Sequence, residues 1–129
     1  MTHPRINPAF MNLNNKWLWM LGVVGLMGCG VSSQSDAVTV AARNSCAAYE
    51  SCEQIGSGKK YANEDDCMTR EKAFWNNLWS VEACDEHINS ENFDFCQDSI
   101  KVLSCGSLLD QAVLVGDKCS RNKVCSGNP

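Results

Sequence analysis

The run Asn63-Glu64-Asp65-Asp66-Cys67-Met68-Thr69-Arg70-Glu71-Lys72-Ala73-Phe74-Trp75-Asn76-Asn77-Leu78-Trp79 decides the fold class of this chain. Asn63 is a strong helix N-cap, because its side chain can accept from a backbone N–H of the first turn. Glu64, Asp65 and Asp66 follow at the positive end of the helix dipole, where acids are favoured. Cys67, Phe74 and Leu78 then form an expected apolar stripe, with Trp75 and Trp79 on its flank. Nothing in the run alternates with period two, and no proline interrupts it.

The same periodicity recurs on both sides. Val38, Ala41, Ala42, Cys46, Tyr49 and Cys52 recur at three- and four-residue spacing, which predicts a helix over 36–54 stopped by Gly56-Ser57-Gly58. Phe93, Cys96, Ile100 and Leu103 predict another from Ser90 to about Ser104. Leu108, Leu109, Ala112 and Val113, closed by Gly116, predict a short fourth. The expected fold is all-α: a small bundle of about four helices.

Cysteine is the second constraint. The chain holds nine. Setting Cys29 aside leaves Cys46, Cys52, Cys67, Cys84, Cys96, Cys105, Cys119 and Cys125, an even set that reads as a disulfide framework in a small exported domain. No CxxC pair occurs, so zinc-ribbon and thioredoxin-type sites lack their core motif. Cys46 and Cys52 would stand about 9 Å apart along a continuous helix, beyond the roughly 7 Å that a bridge spans. Cys96 and Cys105 are further apart still. Bridges are therefore expected to join helices. A hairpin turning at 55–63 would set Cys52 opposite Cys67, and a turn at 85–90 would set Cys84 opposite Cys96. The other four stay open.

The amino-terminal part is of a different kind. Met1 to Lys16 carries Arg5 and Lys16 and no acid, and Trp17 to Gly28 is uncharged and apolar. A basic segment followed by about a dozen apolar residues is the pattern of a signal peptide. It is too short for a spanning helix, which needs roughly 20. Leu26-Met27-Gly28-Cys29 resembles the lipobox of bacterial lipoproteins, with Met27 larger than the usual small residue. That resemblance implies cleavage before Cys29, a thioether-linked diacylglycerol on its sulfur, and an amide-linked acyl chain such as palmitate where the host adds one. Two or more chains hold a membrane stably where one does not. Gly30 follows, and not the Asp that resembles an inner-membrane retention signal, so the outer membrane is the expected address. The organisation read from sequence is a leader over 1–28, a lipid-anchored tether over 29–35, and a cysteine-rich helical domain over 36–129.

From Cys29 onward there are nine basic and fifteen acidic side chains, a net charge of −6. That disfavours nucleic acid and anionic lipid surfaces as partners of the domain itself.

Candidate chemistry is sparse. Gly56-Ser57-Gly58-Lys59-Lys60 resembles a phosphate loop, but the Walker pattern wants Gly where Glu53 stands and Ser or Thr where Lys60 stands, so a turn is the better reading. His87 is the sole histidine after the leader, in Cys84-Asp85-Glu86-His87, with no free thiolate for it to activate. Glu64-Asp65-Asp66 lacks the alternation of a calcium loop, and helix-terminal charge explains it. No metal, cofactor or catalytic residue is expected. Trp75 and Trp79, four apart, read first as core and alternatively as an aromatic patch for a hydrophobic small molecule or a protein.

Cys46-Ala-Ala-Tyr49-Glu-Ser-Cys52, Ile55-Gly56-Ser-Gly58-Lys59-Lys60-Tyr61, Cys67, Trp75-Asn76 with Trp79, Cys84-Asp85, Ile88-Asn89, Cys96, Cys105-Gly106, Cys119 and Cys125 together resemble a family of cysteine-rich lipoproteins of unknown function from myxobacteria. The resemblance covers about 44–125. It implies an association with natural-product biosynthetic loci and supplies no catalytic residues. The expected function is a non-catalytic, membrane-tethered interaction module, partnered by the membrane through lipid on Cys29. A secondary-metabolite-binding lipoprotein is the alternative, and an enzyme the remote one.

Overall fold

The computed structural model describes residues 30–106, 114 and 116–129. The segment Val31–Pro129 forms one compact unit. Its described elements are helices and turns: α1 (Gln34–Ser51), α2 (Glu64–Leu78), α3 (Val81–Cys84), α4 (Ser90–Lys101) and α5 (Arg121–Val124). Outside them a lone bridge pairs Ile55 with Tyr61. The all-α expectation holds. The helix expected over 107–116 falls almost wholly outside the described residues, and the one-turn helices α3 and α5 are additions to the expected set.

The domain starts earlier than the sequence pattern implies. Ser33 caps α1, its Oγ accepting from the Asp36 amide at 3.1 Å. Gln34 is buried and Val31 packs against the main core. Ser33 to Ser35 thus belong to the folded unit, and the expected tether shortens accordingly. The periodicity of α1 begins only at Val38, which is why its polar first turn reads as linker.

At its other end α1 stops at Ser51, three residues before the expected limit. Glu53 takes a left-handed conformation (φ 54°), and Gln54 N–H turns back to donate to Tyr49 O at 2.9 Å. Outside glycine that conformation costs about 1–2 kcal/mol. The stop is therefore Glu53, with the Gly56-Ser57-Gly58 turn coming after it. Gly56 and Gly58 also hold positive φ, 140° and 75°, and the loop closes through Gly56 N–H to Tyr61 O at 2.8 Å.

Asn63 caps α2 as expected, accepting from Asp66 N–H at 2.9 Å, while Asp66 Oδ2 accepts from Ala62 N–H at 2.9 Å. The first bond satisfies an amide that a helix start leaves open, and the second ties the residue before the cap back to the first turn. The inner face of α2 differs from the expected stripe. Cys67, Glu71 and Trp75 are buried, whereas Phe74 and Leu78 are half-buried at its edge. The true row steps by four from Cys67 through Glu71 and Trp75 to Trp79. A glutamate in the middle of the row disguises it as surface.

Asn89 caps α4, accepting from Asn92 N–H at 3.0 Å. Phe93, Cys96, Gln97 and Ile100 face inward, and the helix ends at Lys101 rather than near Ser104.

α1 packs chiefly on α2 and then on α4; α5 closes against α4 and α3. The main core joins Ala37, Val38, Ala41 and Ala42 of α1 to Trp75, Trp79, Phe93 and Ile100. The small residues on α1 let the indoles approach closely, which is how a short bundle reaches interior packing density. A second, smaller core holds Cys46, Tyr49, Tyr61 and Cys67 beneath the α1–α2 loop.

Four disulfides tie these elements together: Cys46–Cys67, Cys52–Cys105, Cys84–Cys125 and Cys96–Cys119. Neither forbidden pair forms. The two expected pairs, Cys52–Cys67 and Cys84–Cys96, are replaced. The loop after Glu53 folds back on itself before α2 begins, so the α1–α2 register moves by more than a turn and brings Cys46 to Cys67. Cys84 is reached instead by the chain following α5.

Candidate functional site

Trp75 and Trp79 lie in the core, 1% and 0% exposed. Their rings stack at 4.6 Å between centroids, and Trp79 meets Phe93 edge-on at 5.9 Å. Trp75 Nε1 donates to Ser45 Oγ at 3.1 Å and Trp79 Nε1 to the Cys119 carbonyl at 3.0 Å. A buried indole N–H needs a partner, and both have one. The pair is therefore packing, and the alternative of an exposed aromatic patch is not what the fold presents.

His87 is tied to the carboxy-terminal tail. Its Nδ1 lies 3.1 Å from Gly127 O, and its own carbonyl accepts from Gly127 N–H at 2.8 Å. A Cβ at position 127 would come within 2.6 Å of Ile88 O, so only glycine allows that approach. His87 serves as an anchor for the tail beside Cys84–Cys125.

Among the described residues, two places bring polar groups together. One is an open groove of about 340 Å³ between α1 and α2, lined by Gln34, Ser35, Val38, Thr39, Lys72, Ala73 and Asn76. Gln34 Nε2, at its floor, donates to Asn76 Oδ1 at 2.8 Å and to Trp79 O at 2.6 Å. His87 and Glu86 do not line the groove. Asp85 touches its edge only by accepting from Gln34 N–H at 3.3 Å.

The other is the lobe around the second core. Tyr61 donates to Glu71 Oε1, both side chains being buried. Lys60 Nζ donates to the Tyr49 hydroxyl at 2.8 Å and lies 4.3 Å above its ring. Arg70 covers the Tyr61 ring at 4.8 Å and donates to Lys60 O at 3.0 Å. Burial first, then the bond to Glu71, the charge of that same carboxylate and the neighbouring Tyr49 push the Tyr61 hydroxyl well above its ordinary range, with Arg70 opposing. Each group here closes another, so the lobe locks the α1–α2 loop. Lys59 and Lys60 keep exposed positions on its rim. Glu71 is absent from the residues that sequence reasoning singles out; a glutamate standing four residues from a core cysteine and four from a tryptophan is the signal that could find it.

Among the described residues no group of His, Cys, Asp or Glu side chains is placed to hold a metal ion. Among them too, no helix is long and apolar enough to cross a membrane. Four disulfides in a domain of this size mark an oxidising compartment, extracellular or periplasmic.

Fold and bridges together define the molecule's class: a small, disulfide-stapled, all-α domain. A model described as "Family of unknown function (DUF6184)" matches residues 46–127, and the chain belongs to that family. No curated protein and no solved structure matches it.

Proposed function

We propose that this protein is a lipid-anchored, non-catalytic interaction module displayed on the outer membrane. One observation carries the reading: covalent bonds cross-link the described helices into a rigid body whose interior aromatic and polar groups are spent on packing and mutual hydrogen bonding. A rigid scaffold suits recognition of a partner, because little order is lost on binding. The lipobox-like Leu26-Met27-Gly28-Cys29 supports the anchor, and Gly30 after it supports the outer membrane. The resemblance to lipoproteins near natural-product loci supplies a setting, in which the partner is a component of export, tolerance or maturation.

Mass spectrometry of the intact protein extracted from membranes tests the reading. The expected mass begins at Cys29, carries diacylglycerol and lacks eight thiol hydrogens. A water-soluble product without acyl chains would overturn it.

The second reading, a small-molecule binder, moves from Trp75 and Trp79 to the α1–α2 groove at Gln34 and Asn76. Titration of candidate metabolites against the amide signals of those two residues tests it. Unmoved signals would exclude it.

A further inference from the structure

We propose that the end of the bundle formed by the start of α1, the end of α2 and α3 is a membrane-contact surface, resting directly on lipid headgroups. The inference rests on acylation of Cys29.

The reason is the length of chain between anchor and fold. Val31 already packs against the main core. Ser33 caps α1, and Gln34 is held at three points, by Asp85, Asn76 and the Trp79 carbonyl. The chain is thus fixed from Val31 onward. Cys29 lies two residues before it, and two extended residues reach at most about 7 Å. The polar headgroup layer of one leaflet is itself roughly 5–8 Å deep. A sulfur whose acyl chains enter the hydrocarbon therefore leaves no clear water between this end of the domain and the lipid. A polar linker of about twenty residues would let the domain float; this chain has no such slack.

That surface is mixed in character: the exposed acids Asp36 of α1 and Glu82 of α3 stand on it, together with apolar, amide and cationic groups. Val81, at the start of α3, is 56% exposed; among the described residues the other exposed large apolar side chains are Phe95 on α4 and Val102 at its end. Asn77, near the end of α2, is exposed as well. Arg121 reaches this end too, its guanidinium donating to the Leu78 and Asn77 carbonyls at 2.7 and 3.1 Å, which leaves a cation near lipid phosphates. The opposite end of α1 lies about 27 Å away along an 18-residue helix. That end carries the closed loop with Ser57, Lys59 and Lys60, and projects away from the bilayer as the part free to meet a partner.

The test is photocrosslinking of the full acylated protein in phosphatidylethanolamine–phosphatidylglycerol vesicles. The photoreactive residue p-benzoylphenylalanine replaces Val81, Asn77 or, as the distal control, Ser57; all three positions are exposed. The acyl mass on Cys29 is measured on the same material. Lipid adducts at 81 and 77, several-fold above those at 57, are the expected result. A flexible Gly/Ser insert of about 20 residues between Gly30 and Val31, spanning roughly 25 Å, should then abolish the adducts while the acyl mass stays. Acylated protein that labels equally at 57 and 81, or keeps its adducts with the insert present, overturns the orientation and leaves the lipoprotein reading standing. Protein without acyl mass overturns both.

Discussion

The Tyr61 hydroxyl donates to Glu71 Oε1 at a point closed to solvent, with Tyr61 3% and Glu71 2% exposed. A tyrosine and a glutamate ten residues apart, one on a loop and one on α2, thereby fasten the loop that sets the helix register. The bond is the electrostatic centre of the smaller core, with Lys60 and Arg70 over the neighbouring rings.

Alkaline stability follows from this bond. The folded protein holds Tyr61 neutral, above the ordinary tyrosine value of 10.0, whereas the unfolded chain releases that proton near the ordinary value. The contribution is complete below about pH 10 and is lost as pH rises beyond it, because the unfolded state then binds fewer protons. Chemical denaturation between about pH 8 and pH 11 should show stability falling above roughly pH 10, and Tyr61→Phe should fall less steeply. Parallel curves for the two proteins would contradict the assignment.

Removal of the acceptor has its own signature. Glu71→Ala leaves the Tyr61 hydroxyl buried without this partner, at a cost of about 1–3 kcal/mol. In a domain of this size each kcal/mol lowers Tm by about 4–8 °C. Glu71→Gln keeps a carbonyl acceptor and should recover most of the loss. Calorimetry on both variants checks the order.

The bridge pattern is directly measurable. Non-reducing peptide mapping should yield Cys46–Cys67, Cys52–Cys105, Cys84–Cys125 and Cys96–Cys119. Replacing both members of a pair by alanine should cost about 2–4 kcal/mol. On loop entropy alone, Cys52–Cys105, spanning 53 residues, should cost roughly 0.8 kcal/mol more than Cys46–Cys67, spanning 21. Equilibrium urea unfolding of the two double variants compares them.

The indoles give a spectroscopic check. From Cys29 onward the tryptophans are Trp75 and Trp79, both sealed in the core. Iodide should quench their emission little until the protein unfolds. Trp75→Ala should cost about 3–5 kcal/mol, as large-to-small core changes do. Strong quenching in the native state would place them at the surface.

Local sequence determined the starts of α2 and α4, because a cap is decided by groups within three residues of one another: Asn63 with Asp66 and Asn89 with Asn92 needed no distant partner. It also determined the helical class, through apolar spacing, and the disulfide framework, through an even set of cysteines. Tertiary structure alone decided which cysteines meet, which face of α2 turns inward and where the folded unit begins. Those outcomes depend on contacts between residues far apart in the chain. A left-handed Glu53 moves the register of α1 against α2, Tyr61 makes the burial of Glu71 tolerable, and Asn76, Trp79 and Asp85 draw Gln34 into the fold. A one-dimensional pattern scores a glutamate as surface and a polar turn as linker, since the hydrogen bonds that bury them form only after the chain has closed on itself.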